Sequence, residues 1–209
     1  YSFCNFFRSL IYLIFCFASS TFVLSQVEPT MTYRLQRDPE CKAWVDSVFN
    51  KLSTREKVSQ LFVYTIAPTQ TKANLSLLNQ AVTTHKVGAL LFSGGELSEQ
   101  AYLINEAQSK AKVPLMITFD GEWGLAMRLK NTPRFPRNGV LGAIQEDQLL
   151  FEYGKEVARQ CKELGVHVNF APVADVNINP KNPVINTRSF GEITKDVADK
   201  VVLYSSGLE

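Results

Sequence analysis

The side chains in this sequence that could do chemistry fall in two clusters, each placed directly after an apolar stretch. The first cluster is Asp120-Gly121-Glu122-Trp123-Gly124-Leu125-Ala126-Met127-Arg128. A carboxylate at Asp120 can accept two hydrogen bonds from sugar hydroxyls, each contributing about 1.5–3 kcal/mol. Trp123 could offer a flat face to a sugar ring, and Arg128 could either contact a substrate or hold Asp120. The alternative is a strand-end turn closed by a salt bridge, and the residues alone leave both possibilities open.

The second cluster lies between residues 169 and 191 and again follows an apolar run. It contains the stretches Asn169-Phe170-Ala171-Pro172-Val173-Ala174-Asp175-Val176-Asn177 and Val184-Ile185-Asn186-Thr187-Arg188-Ser189-Phe190-Gly191. Arg188 has a planar fork of donors that suits a pair of hydroxyls or an amide oxygen. It could instead organise its own loop by bonding Asp175 or backbone carbonyls. We expect Asp175 itself to be structural.

The sequence lacks the signatures of several other chemistries. It has no CxxC and no HExxH pattern, and no metal-binding cluster is expected. The histidines, His85 and His167, lie before and inside predicted strands, so we expect structural roles for both. Cys161 lies on an apolar helix stripe and should be buried, whereas its pairing with Cys41 is left open. The glycosylation sequon that begins at Asn74 is a common triplet and carries little weight.

The composition is that of a packed globular protein. Of 209 residues, 45% are hydrophobic and 20% are charged, which excludes a disordered chain. The 22 Lys and Arg residues against 20 Asp and Glu residues give a net charge of +2. This balance gives no sign of binding to nucleic acid or to an anionic membrane.

The first 25 residues are typical of a secretion signal. Arg8 precedes the apolar run Leu10–Leu24, and Val23 and Ser25 fit the small residues that signal peptidase requires. The alternative is a membrane anchor, but the uniformly apolar part is shorter than the roughly 20 residues of a spanning helix. We therefore expect a signal peptide at 1–25, a secreted or periplasmic protein, and no stable membrane insertion after cleavage near Gln26.

The remaining chain alternates helices with short apolar strands. A polar leader and a first helix occupy residues 26–51, and Ser53 with Glu56 forms a capping box that begins a short second helix. Strands are predicted at 61–64, 87–92, 114–119 and 166–173. Further helices are predicted at 73–84, 97–112, 147–164 and from 193 onward.

Uniformly apolar strands between helices indicate an α/β fold with a parallel sheet. A doubly wound sheet and a (β/α)8 barrel both fit this pattern. The missing glycine fingerprint counts against a dinucleotide fold, and the long polar loops after the third and fourth strands favour the barrel. Four βα units are half of such a barrel. Because the chain also starts with Tyr1 and stops inside an apolar stretch, we expect it to be part of a longer protein.

The two clusters, together with two earlier motifs, resemble the N-terminal domain of glycoside hydrolase family 3, and most closely its β-N-acetylhexosaminidase branch. The resemblance covers residues 52–209. Its marks are Leu52-Ser53-Thr54-Arg55-Glu56-Lys57-Val58-Ser59-Gln60-Leu61, Gly88-Ala89-Leu90-Leu91-Phe92, the Asp120–Arg128 cluster, and the second cluster with Arg188-Ser189-Phe190-Gly191. Each motif alone is weak, but four in the same order are specific.

The resemblance implies a (β/α)8 barrel that hydrolyses a terminal β-linked N-acetylglucosamine with retention, without a metal or organic cofactor. It implies that Asp120, Arg128 and Arg188 bind the terminal sugar. The family's Asp nucleophile, its His acid/base loop and its Lys-His-Phe-Pro-Gly loop would lie beyond Glu209. We therefore expect no catalytic residue in this chain and no glycosidase activity from it alone. One departure is Trp123, where the family usually has glycine.

Other interpretations remain open at this point. The same family contains β-glucosidases and β-xylosidases, and a non-catalytic sugar-binding barrel would show the same clusters. In each case the expected partner is an oligosaccharide or glycoside rather than a nucleic acid. Further C-terminal domains are compatible with the family.

Overall fold

The computed structural model describes residues 38–209. The signal segment predicted at 1–25, and residues 26–37 of the leader, lie outside this range. The helices are α1 (Pro39–Asn50), α2 (Thr54–Ser59), α3 (Lys72–Asn79), α4 (Leu97–Lys110), α5 (Asn138–Leu141), α6 (Asp147–Leu164) and α7 (Thr194–Leu208). The strands are β1 (Val63–Ile66), β2 (Ala89–Phe92), β3 (Gly95–Glu96), β4 (Met116–Phe119), β5 (Leu129–Lys130) and β6 (Val168–Asn169).

Four parallel strands form the main sheet, in the order β1-β2-β4-β6. Ala89 on β2 pairs with Val63 on β1 and with Met116 on β4, and Phe119 on β4 pairs with Asn169 on β6. Helical segments connect successive strands, so the βα alternation predicted from the sequence is confirmed. Within residues 38–209 the sheet is open, because its four strands do not close into a barrel.

One face of this sheet carries most of the core. Leu90 and Ile117, which are neighbours in register, are completely buried against the helices. Alternate residues point to the opposite face, where Val63 is 47% exposed and Met116 is 51% exposed. This second face is only partly covered in the described residues, because Ala89 and Thr118 on it are buried whereas Val63 and Met116 are exposed.

The strand predicted at 166–173 is much shorter in the structure. It pairs only at Val168 and Asn169, and the last ladder bond runs from the Phe170 N–H to the carbonyl of Phe119, where β4 ends. Among residues 38–209, no strand pairs with the segment beyond that point, and Pro172 has no N–H to donate. A second, two-stranded parallel sheet formed by β3 and β5 was not predicted, because its two-residue strands carry no hydrophobic periodicity.

Helix α6 begins and ends where its sequence predicts. It spans Asp147–Leu164 and ends at Gly165, whose φ of 80° is the left-handed conformation that glycine adopts most easily. Within residues 38–209, the Cys161 thiol is buried and forms no disulfide, so it is not paired with Cys41. Burial raises the pKa of the Cys161 thiol to about 11.

Helices α6 and α7 approach each other closely at two glycines. A Cβ atom on Gly154 would overlap the carbonyl oxygen of Tyr204, and a Cβ atom on Gly207 would overlap that of Phe151. The absence of side chains at these two positions therefore sets the distance between the helices. Tyr204 is completely buried at this contact.

The apolar side chains of the first helix are largely exposed. Trp44, Val45 and Phe49 all lie on α1, which has no buried residue, although Lys57 on α2 places its ammonium 3.9 Å from the centre of the Phe49 ring. Among residues 38–209, no helix is both long and apolar enough to cross a membrane.

Glu56 links the start of α2 to two other segments. The capping box is confirmed, because the Ser53 N–H donates to the Glu56 carboxylate at 2.8 Å and the Glu56 N–H donates to the Ser53 hydroxyl. The ammonium groups of Lys86 and Lys112 also donate to the Glu56 carboxylate, at 2.5 and 3.0 Å. The Lys86 bond, followed by the Ser53 and Lys112 bonds, holds the pKa of Glu56 far below its usual value.

Replacing Glu56 by glutamine should lower the thermal unfolding midpoint at neutral pH. The lowered pKa means that the charged carboxylate stabilises the folded chain above the unfolded-state pKa of about 4.3 and that this stabilisation is lost as the pH falls further. The difference between wild type and Glu56→Gln should therefore shrink steadily from pH 5 toward pH 2. Thermal denaturation followed by circular dichroism at several pH values measures it.

Glu152→Gln is the matched control for that measurement. Glu152 is an exposed carboxylate whose partner, Lys155, lies on the same helix, so its loss should change the midpoint less. A Glu56→Gln difference that is equally large at pH 2 and pH 7 would contradict the assignment of the stabilisation to the charge.

Candidate functional site

The polar residues predicted to do chemistry come together at the carboxyl ends of β4 and β6. Asp120 follows β4 directly, and Asn169 is the last residue of β6. The Asn169 carboxamide forms two hydrogen bonds with Gly121: the Gly121 N–H donates to Oδ1 at 2.9 Å, and Nδ2 donates to the Gly121 carbonyl at 3.1 Å. Asn169 therefore joins the loop after β4 to the end of β6.

Asp120 and Arg128 form an ion pair across the first cluster. Arg128 Nη2 donates to Asp120 Oδ2, and Arg128 Nε donates to the Asp120 carbonyl at 3.2 Å. Both side chains are about one-third exposed. Of the two roles considered for Arg128, holding Asp120 in place is confirmed, and both residues remain accessible to a ligand.

The second cluster meets the first through Arg188 and Glu122. Arg188 Nε donates to both carboxylate oxygens of Glu122, at 2.9 and 3.1 Å, and Nη2 donates to Oε1 at 2.6 Å. The Glu122 side chain is 1% exposed, whereas that of Arg188 is 34% exposed. The hydrogen bonds to Glu122 raise the pKa of Arg188, against the smaller opposing effect of burial.

Glu122, rather than Asp175, is thus the acidic partner of Arg188. The prediction that Arg188 could bond backbone carbonyls is confirmed at Val184, whose carbonyl accepts from Nη1 at 3.3 Å. Asp175 contributes its backbone, because its carbonyl accepts from the Ser189 hydroxyl at 2.5 Å. This contact supports the structural role expected for Asp175.

A buried tyrosine and a partly buried tyrosine hold the backbone of Glu122. The hydroxyls of Tyr153 on α6 and Tyr204 on α7 both donate to the Glu122 carbonyl, at 3.4 and 3.2 Å. Their rings stack with centroids 5.0 Å apart and planes 26° apart. Burial raises the pKa of both phenols well above the usual value, so each keeps the proton with which it donates.

Asn138 supports the backbone of the loop that carries Arg188. This asparagine on α5 is completely buried, and its Nδ2 donates to the Arg188 carbonyl at 2.8 Å. Sequence reasoning missed Asn138, Tyr153 and Tyr204. The tyrosines carried a signal only as members of apolar helix stripes, which says nothing about what their hydroxyls bond.

Trp123 has one ring face covered. The Arg137 guanidinium lies 5.0 Å from the centre of its ring, and Arg137 Nη1 donates to the Thr187 hydroxyl at 3.1 Å. Arg137 and Thr187 also line a groove of about 480 Å³ beside the Arg188 loop, whose other walls include Asn186 and Glu192. Sugar stacking on Trp123 stays a prediction.

The other residues considered from the sequence lie elsewhere. His167 Nδ1 accepts from the Ile117 N–H at 2.9 Å, which supports its expected structural role. Asn74 of the sequon is buried, and its Nδ2 donates to the carbonyls of Ala67 and Thr69 at 2.7 Å, so the fold conceals the acceptor nitrogen. Across residues 38–209, no group of three or more His, Cys, Asp or Glu side chains is arranged to hold a metal ion.

The fold and the site define an α/β protein of the parallel βα type, with its polar residues at the carboxyl ends of the strands, where (β/α)8 enzymes carry their sites. The chain belongs to glycosyl hydrolase family 3, because the family model for the N-terminal domain matches residues 53–209. This confirms the resemblance drawn from the four motifs.

Named relatives and a solved structure of the same family are similar to this chain. Beta-hexosaminidase A of Pseudoalteromonas piscicida is 32% identical over 128 residues, 55% of this chain and 21% of the relative. A beta-N-acetylglucosaminidase/beta-glucosidase of Cellulomonas fimi is 28% identical over 161 residues, 77% of this chain and 28% of the relative. The structure of a family 3 beta-N-acetylglucosaminidase from Paenibacillus sp. str. FPU-7 superposes with a TM-score of 0.66 at 30% identity, covering 75% of this chain and 31% of that one. The chain thus spans less than a third of each of these proteins.

Proposed function

We propose that this chain supplies the terminal-sugar binding residues of a retaining glycoside hydrolase that releases β-linked N-acetylglucosamine. The observation that carries the proposal is the placement of Asp120, Arg128 and Arg188 at one end of the sheet, in a chain of family 3 with relatives named as hexosaminidases. The signal-like segment at residues 1–25 supports a further proposal, that the enzyme is secreted or periplasmic.

The donors and acceptors of the site complement a sugar. Arg128 donates to Asp120 Oδ2, whereas Asp120 Oδ1 has no hydrogen-bond partner among residues 38–209. Oδ1 can therefore accept from a hydroxyl. Arg188 has five N–H groups, of which Glu122 and Val184 occupy three. A charged acceptor beside a pair of charged donors suits neighbouring sugar hydroxyls, each of which both donates and accepts.

Glu122 is excluded from direct contact with a substrate by its burial. Its carboxylate is also fully engaged with Arg188. We therefore assign neither Asp120 nor Glu122 as the catalytic pair that retaining hydrolysis needs, and this chain has binding rather than bond-breaking residues in the proposal.

Titration of the full chain with N-acetylglucosamine tests the proposal. Asp120→Asn removes a charged acceptor and should weaken binding by roughly 10- to 100-fold, since a charged hydrogen bond contributes about 1.5–3 kcal/mol. Isothermal titration calorimetry gives the dissociation constants. In a parallel assay, the chain alone should release no nitrophenol from nitrophenyl N-acetylglucosaminide.

Asp199→Asn is the matched control, because Asp199 forms an exposed ion pair with Lys195 on α7. Its affinity for the sugar should equal that of wild type. The proposal fails if wild type binds no sugar, or if Asp120→Asn and Asp199→Asn bind it equally well.

A β-glucosidase is the second candidate, and the name of the Cellulomonas fimi relative, which combines both activities, favours keeping it. Titration with glucose separates the two candidates. An affinity for glucose equal to or higher than that for N-acetylglucosamine would favour the β-glucosidase. A binding site that retains its affinity in a full-length protein without hydrolysis would point to a sugar-binding module.

A further inference from the structure

We propose that Glu122 is a positioning residue: its buried carboxylate fixes the guanidinium of Arg188 so that the remaining N–H groups face the ligand as a rigid fork. The inference rests on the proposed function, because it takes Arg188 as a residue that binds the sugar. It adds a role for a residue that does not itself touch the substrate.

The first step is the geometry of the Arg188 guanidinium. Glu122 occupies the edge formed by Nε and Nη2, with three contacts between 2.6 and 3.1 Å. The Val184 carbonyl accepts from Nη1 at 3.3 Å. All three nitrogens are thereby held, which sets both the plane of the group and its rotation within that plane. Among residues 38–209, one N–H on each terminal nitrogen is left without a partner.

The second step is that Glu122 itself is held by its neighbours. Its N–H donates to the Met127 sulfur at 3.3 Å, and its carbonyl accepts from the hydroxyls of Tyr153 and Tyr204. Its carboxylate is shielded from water, so solvent does not compete for the bonds to Arg188. The loop after β4 and the helices α6 and α7 therefore act together on one guanidinium.

The third step is the effect on a ligand. An arginine that is already held in its binding geometry loses little side-chain freedom when a ligand arrives, whereas a mobile arginine must be ordered first. The neighbouring Asp120–Arg128 pair is about one-third exposed, so it lacks this shielding. A purely structural ion pair would stabilise the fold and hold Arg188, but its loss would leave the affinity of the site unchanged.

The test compares wild type with Glu122→Gln in the full chain, using N-acetylglucosamine as the probe. In wild type, 15N NMR should show that the Nε proton of Arg188 exchanges slowly with solvent. The signals of its two Nη groups should be separate, because rotation of the guanidinium is restricted. In Glu122→Gln the exchange should become faster and the Nη signals should merge. The affinity for the sugar should fall about tenfold, as expected for one side chain that must be ordered on binding.

Glu163→Gln is the matched control. Glu163 also accepts from an arginine, Arg159, at 2.6 Å, but this pair is exposed on α6 and lies outside the site. The variant should change neither the Arg188 signals nor the affinity. If Glu122→Gln does not fold, the Tyr153→Phe/Tyr204→Phe double variant tests the same support, because it keeps both charges and the ring stack.

Each outcome decides the proposal. The proposal is overturned if the exchange and rotation of Arg188 are unchanged in a folded Glu122→Gln variant, or in the double tyrosine variant where Glu122→Gln does not fold. It is also overturned if Arg188 becomes mobile but the affinity for the sugar is unchanged. A wild-type chain that binds no sugar would overturn the proposed function and, with it, the ligand role of Arg188. The NMR measurement would then still show whether Glu122 immobilises that guanidinium.

Discussion

Gly154→Ala should destabilise the folded chain by roughly 2–3 kcal/mol, although alanine is the better helix former by about 1 kcal/mol. The reason is that the new methyl group would overlap the backbone carbonyl of Tyr204, and a backbone atom cannot rotate away as a side chain can. Helix α7 would have to move outward, which would draw the Tyr204 hydroxyl away from the Glu122 carbonyl. Urea denaturation measures the free energy of unfolding.

Gly191→Ala is the matched control for this prediction. The nearest atom to a Cβ at Gly191 is Val197 Cγ2 at 3.9 Å, an ordinary van der Waals distance. Its free energy of unfolding should lie within about 0.5 kcal/mol of wild type. If Gly154→Ala were as stable as Gly191→Ala, the close contact between α6 and α7 would not be a feature of the folded chain.

Arg188→Met should cost about 3–5 kcal/mol of folding free energy, because it leaves the buried Glu122 carboxylate without its cation. The opposite change, Glu122→Met, should cost less, since the Arg188 side chain is partly exposed and water can solvate it. This asymmetry follows from the different exposure of the two partners. Urea denaturation of both variants at neutral pH measures it.

The double variant Arg188→Met/Glu122→Met sharpens that prediction. Because it removes both charges, it should be more stable than Arg188→Met alone. The exposed pair of Arg159 and Glu163 serves as the control, and Arg159→Met should cost no more than about 1 kcal/mol. A double variant less stable than Arg188→Met would contradict the idea that an uncompensated buried charge is the main cost.

The parts of the fold that could be predicted from the sequence are those that local interactions determine. The capping box at Ser53 and Glu56 needs only four residues, and α6 is defined by its apolar stripe and by Gly165. The length of β6 could not be predicted in this way. It depends on where β4 ends, and that strand lies about fifty residues earlier in the chain.

The candidate site shows the same division. Asp120 and Arg128 are eight residues apart, and their pairing was among the alternatives that the sequence offered. For Arg188 the sequence offers Asp175 or a backbone carbonyl as alternatives to a ligand, but its acidic partner is Glu122, which lies 66 residues away. Sequence separation of this size leaves the choice among several carboxylates open.

By itself, the sequence determined the parallel βα class, the family, and the residue types placed after β4 and β6, because hydrophobic periodicity, caps and motifs are local properties. The tertiary structure alone decided which charges pair, which carboxylate is removed from water and which hydroxyls support it. The physical reason is that burial and hydrogen-bond partners depend on how segments far apart in the chain pack. In this protein the distance between α6 and α7, set by two glycines, brings Tyr204 to the Glu122 carbonyl.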